Sequence, residues 1–323
     1  MSSGSSLVRE AIRDIVVVAA LSGAVSGVVA FRNAQAAVAA GSKDAPVTHI
    51  VVPAATPTPV APDPGVLRVC ADPNNLPFTN EKQEGMENGI AALAARDLGR
   101  RLEYYWQPER RGFMRTTLKA GRCDVVMGVP STFELALTTI PYYRSTYVFV
   151  TRRDRLPGLR SFDDPRLRQA RIGIQITGED YENPPPAHAL ASRRLFDNVR
   201  GFTVYGDYSK PDPQRTIIDA VAAGGIDAAV VWGPLAFFAA REAVPLAVRP
   251  VTPSSDGRTV PFVFDISMGV RRGDTALRDA LNRTIARRRA EIRRVLQAFH
   301  VPLAGTPAAA AAPQAHRETG GQP

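Results

Sequence analysis

The residues best placed to do chemistry in this sequence are polar and aromatic side chains that follow predicted strands. Asp72, Asn75 and Phe78 come directly after an apolar run that ends at Ala71. Carboxylate, amide and aromatic groups in such a loop suit the binding of a molecule. The other candidates follow later strands: Arg111, Pro130, Ser131, Thr132, Tyr181, Tyr205 and Trp232. Turn formation, helix capping, surface ion pairing and packing are the structural alternatives for each of them.

Catalysis has little support in the same sequence. The chain has four histidines, and none lies beside a residue that could serve as a nucleophile. There is no G-x-S-x-G motif, no P-loop and no dinucleotide-binding glycine pattern. The acidic clusters around Asp163 and Glu179 lack the spacing of metal ligands. We therefore expect a binding protein that is not an enzyme and has no metal site and no cofactor of its own.

Alternating strands and helices are predicted to position these loops. Apolar runs such as "VLRVCAD" and "CDVVMGV" alternate with helix-like segments such as "NGIAALAARDLG". This βαβαβ order occurs twice along the chain. It predicts an α/β fold of two lobes, each a mostly parallel sheet flanked by helices, joined by two hinge strands. The loops at the carboxyl ends of the strands would line a cleft between the lobes.

Local signals predict two further helices. The spacing from Ser131 to Glu134 fits a capping box, so a helix is expected to begin there. A single long helix is expected from Asp274 to Phe299, with an apolar stripe on one face and arginines on the other.

The N-terminus has the composition of a secretory signal peptide. Arg9 and Arg13 precede the apolar run from Ile15 to Phe31, and small residues follow, with an A-x-A site that ends at Ala36. We predict a signal peptide at residues 1–36 and a periplasmic protein. An uncleaved anchor is the alternative, although the apolar run is short for a membrane span.

The rest of the chain divides by composition. A proline-rich tether is predicted at residues 37–64 and a disordered tail at residues 304–323. Between them we predict lobe 1 at residues 65–152 plus 262–303 and lobe 2 at residues 153–261.

The two cysteines are Cys70, in the first predicted strand, and Cys123, at the start of another. In an oxidising compartment an even number of cysteines favours a disulfide. Two buried thiols on neighbouring strands are the alternative.

The formal net charge of +9 comes mainly from arginine. Because no nucleic-acid-binding motif accompanies it, this charge favours a dispersed arginine-rich surface over nucleic-acid binding. An acidic protein partner is also consistent with it.

Several motifs together resemble the type 2 periplasmic solute-binding proteins, the receptors of ABC importers. A narrower resemblance, to the quinoprotein dehydrogenase-associated MxaJ/XoxJ-like members, is carried by "RVCADPNNLPF", "AGRCDVVMGVP", "PYYRSTYVFVTR", "NPPPAHALA" and "FDISMGVRRGD". It implies an accessory or maturation factor of a periplasmic PQQ-dependent methanol dehydrogenase. We expect the protein itself to be a monomer. That dehydrogenase, which uses calcium or a lanthanide, is the implied partner, and its cytochrome c is a second candidate.

The sequence departs from the amino-acid receptors of this class at two positions. Where those receptors place an arginine that binds the ligand carboxylate, Leu135 follows Glu134, and Trp232 stands where they place an amine-binding aspartate. We therefore expect a more apolar cleft that does not take an amino acid. An import receptor for another small organic molecule is the alternative function. A third hypothesis, an enzyme-like remnant as in cyclohexadienyl dehydratases, would need a buried carboxylic acid at Asp72 or Asp180.

Overall fold

The structure is a computed structural model that describes residues 63–176, 184–203, 208 and 211–305. All of these residues belong to the unit Pro57–Pro323. The predicted signal peptide, almost all of the predicted tether and tail, and the candidates Tyr181 and Tyr205 lie outside the described residues. Within the described part, no helix is long and apolar enough to cross a membrane.

Strands and helices alternate along parts of the described chain, with runs of consecutive strands between them. The strands are β1 (Val66–Ala71), β2 (Asn74–Asn75), β3 (Thr79–Asn80), β4 (Arg101–Trp106), β5 (Val125–Pro130), β6 (Leu137–Thr138), β7 (Tyr143–Arg152), β8 (Ile172–Ile176), β9 (Val199–Thr203), β10 (Ala228–Trp232), β11 (Leu246–Pro250), β12 (Ser255–Asp256), β13 (Val260–Pro261) and β14 (Val263–Val270). The helices are α1 (Met86–Asp97), α2 (Phe113–Thr116), α3 (Pro185–Ser192), α4 (Thr216–Ala222), α5 (Ala236–Ala239), α6 (Thr275–Arg287) and α7 (Arg289–Ala298).

In the first lobe, β4, β1 and β5 run parallel, and β14 pairs antiparallel with β5. Alternate residues of β1 enter different cores because side chains of a strand alternate between its two faces. Val69 lies in the core that also contains Ile90 of α1 and Leu281 of α6. Cys70 lies in a smaller core with Phe113 of α2. Burial on both faces explains why the sequence of these strands reads as continuous apolar runs.

The second lobe repeats this arrangement. β9, β8 and β10 run parallel, while β7 and β11 are antiparallel to their neighbours. Phe149 of β7 packs on one face against Phe162, with ring centroids 5.1 Å apart. Val148 and Val150 face the opposite core, which contains Ile217 of α4.

Two strands join the lobes. The first part of β7, Tyr143–Thr146, pairs antiparallel with Val263–Ile266 of β14. The rest of β7 pairs with β10 and β11 of the second lobe, whereas the end of β14 pairs with β5 of the first. The predicted two-lobed α/β fold with two hinge strands is therefore confirmed, and the hinge strands are β7 and β14.

The predicted helix at Ser131 is wrong. Residues 131–136 form turns that lead into β6. The Ser131 hydroxyl does not cap a helix: it lies 3.1 Å from the carbonyl oxygen of Asp265 and 2.7 Å from Ser267 Oγ, both on β14. A bond to a distant strand has taken the place of the local bond that a capping box requires.

The predicted single terminal helix is two helices, α6 and α7, which meet at Arg288. Asp97, the last residue of α1, accepts hydrogen bonds at this junction from the side chains of Thr284 (2.7 Å), Arg287 and Arg288 (2.8 Å). These ion pairs hold the pKa of the Asp97 carboxyl far below its ordinary value. The junction is thus fixed by a carboxylate on another helix, which the local sequence does not reveal.

Cys70 and Cys123 form a disulfide, with their Cα atoms 5.4 Å apart. No free cysteine remains among the described residues. The bond joins β1 to the residues just before its parallel neighbour β5, across a sequence separation of 53 residues. A loop of that length corresponds to about 4 kcal/mol of stabilisation by the chain-entropy argument.

Candidate functional site

A cavity of about 280 Å³ lies where the two lobes face each other. The first lobe contributes the loop after β1, the start of α1, the loop after β4 and the end of β5. The hinge strands contribute Tyr143, Tyr147 and Phe264, and the second lobe contributes the ends of β8 and β10. The cavity is therefore at the carboxyl ends of the parallel strands, where an α/β sheet binds its ligands.

The structure brings half of the predicted site residues to this cavity. Those that line it are Asp72, Asn75, Phe78, Pro130 and Trp232. Arg111, Ser131 and Thr132 do not line it, and Arg111 and Thr132 are exposed.

The carboxylate of Asp72 connects the loops around the cavity by hydrogen bonds. Its Oδ1 accepts a hydrogen bond from the backbone N–H of Asn74 (2.8 Å). Its Oδ2 accepts from the backbone N–H of Glu109 (2.7 Å) and from the phenol of Tyr208 (2.6 Å). Burial and the bond to Asp72 raise the pKa of the Tyr208 phenol. The two carboxylate oxygens of Asp72 thus accept hydrogen bonds from three segments of the chain.

A relay of amides links the lobes at the cavity. The backbone N–H of Trp232 donates to Gln175 Oε1 (2.9 Å), and Gln175 Nε2 donates to Gln214 Oε1 (3.1 Å). Gln214 Nε2 then donates to Asn75 Oδ1, and Asn75 Nδ2 donates to Glu109 Oε2 (3.3 Å). The side chains of Asn75, Gln175 and Gln214 are all buried. Each amide satisfies the next, so the relay holds the lobes together at the cavity.

Three aromatic rings form the wall of the cavity beside the hinge. Trp232 lies edge-on to Tyr147 and Phe264, with ring centroids 5.4 and 5.9 Å away. Phe78, on the loop after β1, packs against core residues of both lobes. This wall presents apolar area and ring faces to any bound molecule.

Glu87, in the first turn of α1, is a buried acid at the cavity. Glu87 is only 7% exposed. Among the described residues nothing donates a hydrogen bond to its carboxyl. Burial is the larger cause and the negative charge of Glu109 the smaller one, and together they raise the pKa of the Glu87 carboxyl to about 8. The carboxyl is therefore largely protonated at neutral pH.

Glu109, in the loop after β4, is a second acid at the cavity, and it is half-buried. Burial and then the charge of Asp72 raise its pKa to about 7. With Asp72, three carboxyl groups converge on one cavity, and within the described chain no Lys, Arg or His lines it.

The sequence analysis missed both glutamates. Glu87 lies three and seven residues before Ile90 and Ala94, so it falls on the apolar face of its helix, and that position was a usable signal. Glu109 directly precedes the arginine pair Arg110 and Arg111 and carried no signal of its own. The hypothesis of a buried acid named Asp72 and Asp180. Of the acids that line the cavity, Glu87 and Glu109 are those whose pKa values are raised, and Asp180 lies outside the described residues.

The cavity is also more polar than we expected from the departures at Leu135 and Trp232. Trp232 does line it, but Leu135 is 48% exposed and lies elsewhere. The amides of the relay and the two glutamates supply polar surface that the motif comparison did not include.

Comparison with known proteins agrees with this architecture. Residues 67–298 match the family model of the bacterial extracellular solute-binding proteins, family 3. Protein MoxJ of Methylorubrum extorquens (strain AM1) is 33% identical over 250 residues, which are 75% of this chain and 83% of that protein.

Two solved structures are similar over their whole length. The periplasmic binding protein XoxJ from Methylobacterium extorquens AM1 is 34% identical, with a TM-score of 0.61, covering 74% of this chain and 100% of that one. MxaJ from Methlophaga aminisulfidivorans MPT is 25% identical, with a TM-score of 0.62 and the same coverage. The chain therefore belongs to family 3 of the bacterial extracellular solute-binding proteins, and within it is an MxaJ/XoxJ-like periplasmic binding protein.

Proposed function

We propose that this protein is a periplasmic, non-enzymatic accessory factor that helps to mature or activate a PQQ-dependent methanol dehydrogenase. The observation that carries the proposal is the similarity to MoxJ and XoxJ over about three quarters of the chain. The motifs that resemble the quinoprotein dehydrogenase-associated members imply the same role. The PQQ, and the calcium or lanthanide ion, would belong to the dehydrogenase.

The cavity supports a role other than amino-acid import. An amino-acid ligand needs a guanidinium or similar donor for its carboxylate. No basic side chain lines the described cavity, and Trp232, which does line it, stands where the motif comparison places the amine-binding aspartate of the amino-acid receptors. The negative charges of Asp72 and of ionised Glu109 would repel a ligand carboxylate.

An arginine-rich face on α7 supports a protein partner. Arg289, Arg293 and Arg294 are exposed, and in the described part of the chain no carboxylate lies within ion-pair distance of them. Arg289 and Arg293 border a shallow groove that also includes Leu303, which is 39% exposed. We define Arg289, Arg293 and Arg294 as the basic face, and we propose that it binds an acidic surface of the dehydrogenase.

The proposed location rests on two features. The predicted signal peptide at residues 1–36 would direct export, and the Cys70–Cys123 disulfide is typical of an oxidising compartment. The periplasm has that property.

Gentle isolation of the tagged mature protein from the periplasm of its own cells, followed by native mass spectrometry, tests the proposal. We expect the dehydrogenase, or its cytochrome c, to co-isolate. We also expect deletion of the gene to lower the specific activity of the dehydrogenase at unchanged abundance, with recovery on complementation. A dehydrogenase that is fully active in the deletion strain would contradict the accessory role.

The cavity makes an import receptor for a small organic molecule the second candidate. In that case the isolated protein would carry a bound mass of a few hundred daltons without the dehydrogenase, and the ligand would raise its melting temperature.

A further inference from the structure

Glu87 is a buried acid that lacks a partner within the described structure. Its carboxyl is one of the walls of the cavity, and no described side chain or backbone group donates to it. An ionised carboxylate buried without a partner costs several kcal/mol, so in the empty cavity the protonated form is favoured. A positively charged group that enters the cavity would supply the missing partner and favour the ionised form.

Glu109 adds a second acidic wall. The hydrogen bonds to its carboxyl include one from Asn75 Nδ2 to Oε2, and at 3.3 Å this bond is long. The negative charge of Glu109 raises the pKa of Glu87, and the negative charge of Asp72 raises the pKa of Glu109. Asp72 and ionised Glu109 contribute negative charge, Glu87 can become negative by giving up its proton, and no described lining residue contributes positive charge. The cavity therefore favours cations over anions.

The aromatic wall suits the body of an organic cation. The rings of Tyr147, Trp232 and Phe264 form a connected aromatic surface, on which both an ammonium group and an apolar chain or ring are favourable. The cavity volume of about 280 Å³ limits the ligand to a small molecule. An inorganic cation would leave the aromatic wall unused, and the described residues contain no cluster that could hold a metal ion.

We propose that the cavity binds a small organic amine without a carboxylate, with its ammonium group held by Glu87 and Glu109 and its apolar body packed on Trp232 and its neighbouring rings. This site does not depend on the dehydrogenase partnership. The amine enters as an ammonium ion and Glu87 gives up its proton to water, so binding releases a proton.

Calorimetric titration of the intact mature protein with charge-matched probes tests the proposal. Benzylamine, benzyl alcohol and benzoate share one ring and differ in charge, and butylamine, butanol and butyrate repeat the series without a ring. We expect each amine to bind at least about 10-fold more tightly than its alcohol and neither acid to bind. Tighter binding of an alcohol or an acid, or no heat from either amine at millimolar concentration, would overturn the proposal.

Glu87→Gln tests the residue assignment because it keeps the shape and removes the ionisable group. We expect at least about a 10-fold loss of amine affinity and a change of less than about 2-fold for benzyl alcohol, measured alongside thermal unfolding. Glu109→Gln is the second variant, and Glu134→Gln, which changes an exposed glutamate away from the cavity, is the control. Equal losses for amine and alcohol would show that Glu87 only shapes the cavity.

Proton release is an independent readout. The titratable groups close to Glu87 are Glu109 and the phenols of Tyr104, Tyr142 and Tyr143, whose pKa values are raised by burial. The phenols therefore stay protonated, and a released proton comes from a glutamate. Titrations at pH 7 in buffers of different ionisation enthalpy should show proton release by the wild type and less by Glu87→Gln. Amine binding without proton release would contradict the assignment.

Discussion

The carboxyl of Glu87 lies so close to Gly128 that a β-carbon at position 128 would stand 2.2 Å from Glu87 Oε1. Gly128 has a φ of +68°, in the left-handed region that favours glycine. Its N–H donates to the phenol of Tyr142 (3.2 Å). Because Gly128 on β5 has no side chain, there is space in which the carboxyl of Glu87 on α1 is buried.

Gly128→Ala should lower the stability of the protein and disturb the cavity. The left-handed φ alone costs about 1–2 kcal/mol for a residue with a β-carbon, and the methyl group would also displace the Glu87 carboxyl. Urea unfolding measures the first effect, and the affinity for benzylamine measures the second.

Gly99→Ala is the matched control for this variant. Gly99 has a φ of +64°, and a β-carbon there would meet nothing within 4 Å. It should carry the conformational cost without any change in amine affinity. If the two variants lose the same stability and both keep their affinity, the contact between Gly128 and Glu87 has no energetic role.

Burial of Glu87 should make the protein less stable as the pH rises. Its pKa is raised from 4.5 to about 8, so between these values the folded state binds more protons than the unfolded state. Stability then falls with increasing pH from about 4.5 and becomes level above about 8. Glu109, with its pKa raised to about 7, contributes in the same direction.

Urea unfolding of the wild type and of Glu87→Gln at several pH values measures this effect. The variant should lose less stability than the wild type between pH 5 and pH 8, because one of the two titrating acids is gone. Parallel stability curves for the two proteins would show that Glu87 titrates near its ordinary pKa.

The sequence predicted those parts of the fold that depend on local patterns. The apolar run of β1 and the helical spacing of α1 appear in the structure within two or three residues of their predicted limits. Buried strands and amphipathic helices leave such patterns because their own residues supply the burial. Asp72 and Trp232 line the cavity because strand ends meet there.

The predictions that failed concern features that depend on residues far apart in the sequence. Ser131 bonds to β14, 134 and 136 residues away, and so does not cap a helix. The pKa of Glu87 is raised by burial, which depends on how the rest of the fold packs around α1 and not on the neighbouring sequence. Local reasoning found the loops around the cavity but could not find the acids whose chemistry the burial changes.

The amide relay should be needed for the lobes to stay together. Gln214→Ala removes the donor to Asn75 and the acceptor for Gln175, so Asn75 Oδ1 and Gln175 Nε2 each lose their partner in the relay. We expect a loss of about 1–3 kcal/mol in the free energy of unfolding and faster hydrogen exchange in β10. Gln297→Ala, at an exposed position on α7, is the control and should change neither quantity. Unchanged exchange in the Gln214 variant would mean that the hinge strands alone hold the lobes.

The basic face should determine binding to the dehydrogenase. The triple variant Arg289→Glu, Arg293→Glu and Arg294→Glu reverses three exposed charges. Because these arginines have no ion-pair partner in the described chain, the fold should be retained. Co-isolation of the dehydrogenase should be lost, because an acidic surface would then face an acidic helix. Binding by the unmodified protein should weaken with added salt, since exposed charges are screened beyond about 8 Å at physiological ionic strength.

The control for this reversal changes the same amount of charge elsewhere. Arg153, Arg168 and Arg258 are exposed on the second lobe, away from α7, and their replacement by glutamate alters the net charge equally. If binding depends on net charge alone, both triple variants should lose the dehydrogenase. If it depends on the basic face, only the α7 variant should, and an α7 variant that still co-isolates the enzyme would place the partner surface elsewhere on the protein.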